Sequence, residues 1–153
     1  MRAIAVALSG LVAALPIILG TAASALINVG ALDTPGSAAC VEVVGDLAYV
    51  ADGNSGLRVI DVSNPTSPVA LGGIDMVGDA RGLAVVGNLA YWVKGYPGLL
   101  VVDVSNPNSP VQIGVLNTPG EANAVEVVGT LAYVADGSHG LSIIDVSDPA
   151  LPI

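Results

Sequence analysis

The chain has 153 residues, about half of them apolar, with thirteen acidic side chains against four basic ones and no phenylalanine. That length suits one domain, and the acidic balance argues against nucleic acid as a partner, because phosphate binding needs clustered Lys and Arg. A core must therefore be built from Val, Leu, Ile and Ala, while the 19 glycines and 10 prolines fall at regular spacings that argue for tight turns rather than disorder.

The first 25 residues stand apart. Arg2 gives a basic start, an apolar run follows, and Ala23-Ser24-Ala25 fits a small-residue cleavage pattern. This predicts a signal peptide over 1–25, leaving a mature chain of 26–153 that is secreted, periplasmic or displayed at the cell surface, with no membrane association after cleavage. The alternative for the same run is a retained membrane anchor, since it is long enough to span a bilayer. Cys40 is the sole cysteine, so no internal disulfide forms; it aligns with Gly82 and Ala124 of later copies and reads as a small strand residue with a buried side chain.

From there the chain repeats. GLRVIDVSNPTSP at 56–68 returns as GLLVVDVSNPNSP at 98–110 and as GLSIIDVSDPALP at 140–152, so that Asp61, Asp103 and Asp145 lie 42 residues apart. A fixed period of this length marks a repeat architecture. The copies span 30–71, 72–113 and 114–153, the last stopping short. Within each, Cys40–Val44 and its counterparts end at a two-residue hairpin signal (Gly45-Asp46, Gly87-Asn88, Gly129-Thr130), and Leu47–Ala51 follows. A glycine turn at 52–56 leads into a third strand at 57–62. Two prolines keep the next link out of helix and central strand, and Val69–Ile74 makes the fourth. A fourth-type strand is also expected at 27–33, ahead of the first full repeat.

No stretch after 25 has helical periodicity, so the mature chain is expected to be all-β. In the third strands both alternating faces are apolar, Leu57 and Val59 on one and Ile60 and Val62 on the other, as in a sheet stacked between other sheets. Three 42-residue, four-stranded repeats stacked face to face describe β-propeller blades; a β-sandwich fits strict repetition less well.

The motifs VIDVS, VVDVS and IIDVS, each preceded by Gly-Leu or Gly-Leu-Arg-type starts and followed by a proline loop, make the chain resemble the LVIVD repeat family. The resemblance covers essentially all of the mature chain and implies a propeller of the cell-surface or secreted kind. Propellers close with about four to eight blades, and three are present, so the expectation is a partial propeller or half of an oligomeric ring. Completion would come from a second copy or from further blades in a longer protein.

Asp61, Asp103 and Asp145 end third strands two residues before a serine, where a carboxylate can accept backbone N–H groups of the following turn; recurrence in each copy points to structure. Asp52 and Asp136 precede glycines in turns, with Lys94 in the middle copy, too few carboxylates for calcium, so no metal is expected. Glu42 and Glu126 lie mid-strand, with Ala84 between them in the repeat series. They support a hydrolase reading with channel carboxylates, against solvated channel walls. His139, the lone histidine, sits in a turn without a nucleophile or metal-spaced companions.

The middle copy collects what the others lack, namely Arg81, Trp92, Lys94 and Tyr96. In a propeller the fourth-to-first and second-to-third loops share a face, so these four residues form the candidate ligand-binding patch. Sequence drift in one blade is the competing explanation. The expected role is a binding or scaffold module for a protein or glycan, with no cofactor; a hydrolase and a purely structural surface repeat are the alternatives.

Overall fold

The computed structural model describes residues 27–76, 78 and 80–153, so the leader expected at 1–25 lies outside the described residues. The described chain is all-β. Strands β1 (Cys40–Val44), β2 (Leu47–Ala51), β3 (Leu57–Asp61) and β4 (Val69–Ile74) form one antiparallel sheet in sequence order. A second sheet holds β5 (Ala80–Val86), β6 (Leu89–Lys94), β7 (Gly98–Asp103) and β8 (Val111–Asn117). The third has three strands, β9 (Ala124–Val128), β10 (Leu131–Ala135) and β11 (Leu141–Asp145).

Each sheet is a propeller blade. The hairpin glycines Gly45, Gly87 and Gly129 take φ near +60°, which lets a two-residue turn join the first and second strands in each blade. The Asp61, Asp103 and Asp145 carboxylates each accept the backbone N–H two residues on, from Ser63, Ser105 and Ser147, at 2.8 Å. These bonds start the proline-containing links and are exposed to solvent.

The blades stack through apolar faces. Tyr49, Leu57 and Val59 of the first blade meet Leu83, Trp92, Leu100 and Val102 of the second in one core cluster. Tyr91, Val93, Leu99 and Val101 of the second meet Val125, Ala132, Val134 and Ile144 of the third in another. Both clusters use the same pair of faces, so one interface recurs from blade to blade. The first strands β1, β5 and β9 neighbour one another across blades, and a Cβ on Gly82 would stand 2.9 Å from the Ala124 Cα. That close approach explains the small residues in the Cys40, Gly82 and Ala124 series, and Cys40 packs half-buried against the first cluster.

One expectation is corrected. The segment 27–33 is not a strand, because a strand exists only through a hydrogen-bonded neighbour and, among the described residues, no third-type strand lies beside it. The third repeat, expected to stop short, holds three strands. Ile153 alone begins the fourth, exchanging hydrogen bonds of 2.7 and 3.0 Å with Asp145.

Candidate functional site

On the face where fourth-to-first and second-to-third connections emerge, the second and third blades enclose an open cavity of about 490 Å³. The second blade contributes Gly78, Arg81, Lys94, Gly95 and Tyr96; the third contributes Pro119, Gly120, Glu121, Ser138 and His139.

Arg81 reaches the cavity because a β-bulge between Ala80 and Gly82 takes it out of the ladder with β6. Its Nη1 donates to Glu121 Oε2 at 2.9 Å and to Asn123 Oδ1 at 2.7 Å, linking two blades across the mouth. The pair is exposed, so its value is orientation of the guanidinium more than stability. Lys94, the last residue of β6, lies with its ammonium 6.0 Å from the Trp92 ring centre. Tyr96 is 76% exposed at the tip of the next loop. Ser138 Oγ and His139 Nδ1 approach to 3.4 Å on the opposite wall.

Trp92 does not belong to this surface. Alternation along β6 turns it into the first interblade core, where it is fully buried. Its place in the expected patch is therefore corrected to a packing role, while Arg81, Lys94 and Tyr96 do come together at one cavity. Among the described residues the buried indole N–H has no hydrogen-bond partner.

Beneath the loops lie two buried carboxylates. Asp52 accepts from the Thr34 hydroxyl at 2.6 Å and the Gly36 N–H at 2.8 Å. Asp136 accepts from the Thr118 hydroxyl at 2.7 Å, the Gly120 N–H at 3.0 Å and the Ser142 hydroxyl at 3.1 Å. Burial by itself would raise the Asp136 pKa, but these three bonds and the neighbouring His139 outweigh it and hold the carboxyl below its ordinary value. Each aspartate thus ties the segment entering its blade to the blade's inner turn. In the middle repeat the two positions are Met76 and Lys94, so that lock is absent and a cation stands where the carboxylate would be. This paired replacement is the sequence signal for a specialised second blade. Glu121, Asn123 and the Ser138–His139 wall were not legible as partners of Arg81, because they belong to the next repeat.

Glu42 is half-buried on β1 and Glu126 exposed on β9, on different blades with β5 between them. Among the described residues no group of three or more His, Cys, Asp or Glu side chains is placed to hold a metal ion, and no helix is long and apolar enough to cross a membrane.

Comparison with known proteins adds the following. The LVIVD repeat pattern matches residues 35–75, 77–118 and 119–153. No curated protein matches the chain. Among solved structures, the computationally designed Ika8 protein aligns with a TM-score of 0.56 at 8% identity, over 71% of this chain and 33% of its own. The computationally designed Ika4 protein aligns at 0.51 and 10% identity, over 67% of this chain and 62% of its own. The chain therefore spans about a third of the first and less than two thirds of the second; at these identities the likeness concerns the fold alone. Three successive matches, each coinciding with one blade, establish that the chain belongs to the LVIVD repeat family.

Proposed function

We propose that this chain is an exported, non-enzymatic binding module that holds a glycan on its loop face. Export rests on the apolar run and Ala23-Ser24-Ala25 ending of 1–25. The observation that carries the binding reading is the cavity between the second and third blades, where Arg81, Lys94 and Tyr96 of the one repeat that departs from its neighbours converge. A guanidinium held by Glu121 and Asn123, a hydroxyl and an imidazole offer donors and acceptors to sugar hydroxyls. The exposed Tyr96 ring offers a flat apolar surface to a sugar face. The blades hold these groups on a rigid frame, and loops on a rigid frame are where recognition is commonly placed.

The test is an array of neutral and acidic oligosaccharides probed with wild type and with Arg81→Ala/Lys94→Ala/Tyr96→Ala. The expected result is glycan binding that the triple variant loses while keeping its circular dichroism and melting temperature. Equal binding by both proteins would overturn the reading, as would capture of a protein partner with no glycan bound. Hydrolysis of an oligosaccharide by wild type that Glu126→Gln abolishes would replace it with the enzymatic alternative.

A further inference from the structure

We propose that the glycan held at this cavity is acidic, with the carboxylate of a uronate unit seated between the Arg81 guanidinium and the Lys94 ammonium. The inference rests on the glycan reading and adds to it the chemical class of the sugar.

Charge is spread unevenly over the molecule. Thirteen acidic residues stand against four basic ones in the chain, yet the described residues lining the cavity include two bases, Arg81 and Lys94, and one acid, Glu121. Glu121 accepts from Arg81, and Asp136, buried beneath the loops, accepts from Thr118, Gly120 and Ser142. A ligand carboxylate at this mouth meets two cations gathered on an otherwise acidic molecule, and a neutral sugar gains less from their charge.

Both cations are departures from the repeat. Ala39 and Asn123 stand at the position of Arg81, and Asp52 and Asp136 at that of Lys94. In the first and third blades the aspartate carboxylate accepts the N–H of Gly36 or Gly120. The middle blade keeps that glycine as Gly78 and sets an ammonium beside it. A Cβ on Gly78 would stand 3.2 Å from Lys94 Cδ and 3.4 Å from its Nζ. The inner turn that carries negative charge in two blades thus carries positive charge in the blade between them, and its preference turns towards anions.

Arg81 suits a planar acceptor. Its bonds to Glu121 and Asn123 are both made by Nη1, and the guanidinium lies over Gly95, where a Cβ would stand 3.4 Å from Cζ and Nη2. A guanidinium anchored at one nitrogen offers the N–H groups of Nε and Nη2 as a second edge, and such an edge pairs with both oxygens of a carboxylate. Charge-assisted bonds of this kind are roughly twice as strong as those to a neutral sugar hydroxyl. A sulfate ester could supply the same negative charge, but it is tetrahedral, and the flat carboxylate is the group that the other two blades seat at this turn.

The test is titration of the full chain with oligomers of galacturonate, glucuronate and mannuronate. Each is measured beside the same oligomer with its carboxyls reduced to primary alcohols, and beside a sulfate ester of that reduced form. At least one oligouronate is expected to bind, with affinity falling as salt is added. Reducing its carboxyls should weaken binding by roughly tenfold to a hundredfold, the loss for hydrogen bonds to a charged group. Arg81→Gln and Lys94→Gln, checked for unchanged circular dichroism, should each shrink that difference while leaving the affinity for the reduced oligomer nearly unchanged. Equal affinity of wild type for the charged and reduced forms would overturn the acidic assignment and leave the glycan reading standing. Preference for the sulfate ester over the uronate would overturn the carboxylate seat. A uronate preference intact in both glutamine variants would remove the two cations from it. Binding of none of these oligomers would overturn the uronate assignment, and the glycan reading would then stand or fall on the wider oligosaccharide array. The comparison of ligands on wild type needs no variant to fold.

Discussion

The Thr118 hydroxyl donates a 2.7 Å hydrogen bond to the buried Asp136 carboxylate, across 18 residues of chain, and so ties the entry of the third blade to its inner turn. Thr34 and Asp52 repeat the arrangement in the first blade at 2.6 Å. The middle blade has Met76 and Lys94 in place of this Thr–Asp pair, and Lys94 lines the cavity. Loss of the lock and gain of the cationic wall are the same pair of replacements.

Thr118→Val should therefore destabilise the chain by about 1.5–3 kcal/mol, the range for a hydrogen bond to a charged group. Asp136→Ala should lower stability further, because it strands the Thr118 and Ser142 hydroxyls and the Gly120 N–H together. The carboxyl is held below its ordinary value in the folded state, so the folded state favours the ionised form. Its contribution is complete above the unfolded aspartate value of about 3.9 and is lost as pH falls through the lower folded value. Urea melts between pH 7 and pH 2 should show wild type losing more stability on acidification than Asp136→Ala.

Rebuilding the lock in the middle blade is the complementary experiment. Met76→Thr/Lys94→Asp supplies the hydroxyl and carboxylate that the first and third blades use, with Gly78 at the position of Gly36 and Gly120. The two changes should couple favourably, by about 0.5–3 kcal/mol in a double-mutant cycle. The same variant should lose glycan binding, since it removes the ammonium from the cavity. Strict additivity in the cycle would show that the middle blade's turn has diverged too far to accept the lock.

Trp92 makes a third case. It is fully buried between the first two blades, at the position filled by Val50 and Val134 in the others. Trp92→Ala should destabilise by about 3–5 kcal/mol, the usual range for a large core truncation. Trp92→Val should lose less, because a smaller residue is already accommodated at that position in two blades. Chemical denaturation of both variants checks the order, and glycan binding measured well below the melting temperature should be retained in each.

Much of the fold was legible in the sequence because its signals are local and repeated. The 42-residue period, the Gly-containing hairpins and the two-faced apolar third strands each specify a blade without reference to distant residues. What was not legible depends on partners. The segment 27–33 has a fourth strand's sequence, but strand structure requires a neighbour that the single chain does not place beside it. Trp92 shares a strand face with Lys94, two residues on, and what separates them is position along β6, since Trp92 lies mid-strand between the first two blades and Lys94 ends the strand at the loops. Asp52 and Asp136 read only as turn residues because their donors, Thr34 and Thr118, lie 18 residues upstream. Arg81 and Tyr96 meet their cavity partners across a blade boundary, which no local pattern encodes.

Asp103 tests the opposite limit. Its carboxyl is held below the ordinary value by the Ser105 backbone N–H and then by the Ser105 hydroxyl, yet the group is open to solvent. Asp103→Ala should lower the melting temperature by less than Thr118→Val does, because water replaces the lost acceptor. The contribution that remains is present above the unfolded aspartate value and disappears as pH falls through the folded one. A loss equal to that of Thr118→Val in thermal melts would mean that this link is more enclosed than its exposure indicates.

Gly114 separates steric from conformational use of glycine. Its backbone angle is one that any residue adopts, but an added Cβ would stand 2.1 Å from the Pro149 carbonyl oxygen, a backbone atom that moves only if the link after β11 moves. Gly87 presents the reverse situation, with φ of +60° at a hairpin and open space around the missing side chain. Gly87→Ala should therefore lose about 1–2 kcal/mol, the penalty for a side chain in the left-handed region. Gly114→Ala must in addition push the second and third blades apart, so it should destabilise more and expose part of the Leu99, Val101 and Val134 cluster. Paired denaturant melts, with a hydrophobic dye reporting the opened interface, would check both the order and the cause. Greater destabilisation from Gly87→Ala would show that the interblade contact at Gly114 yields easily.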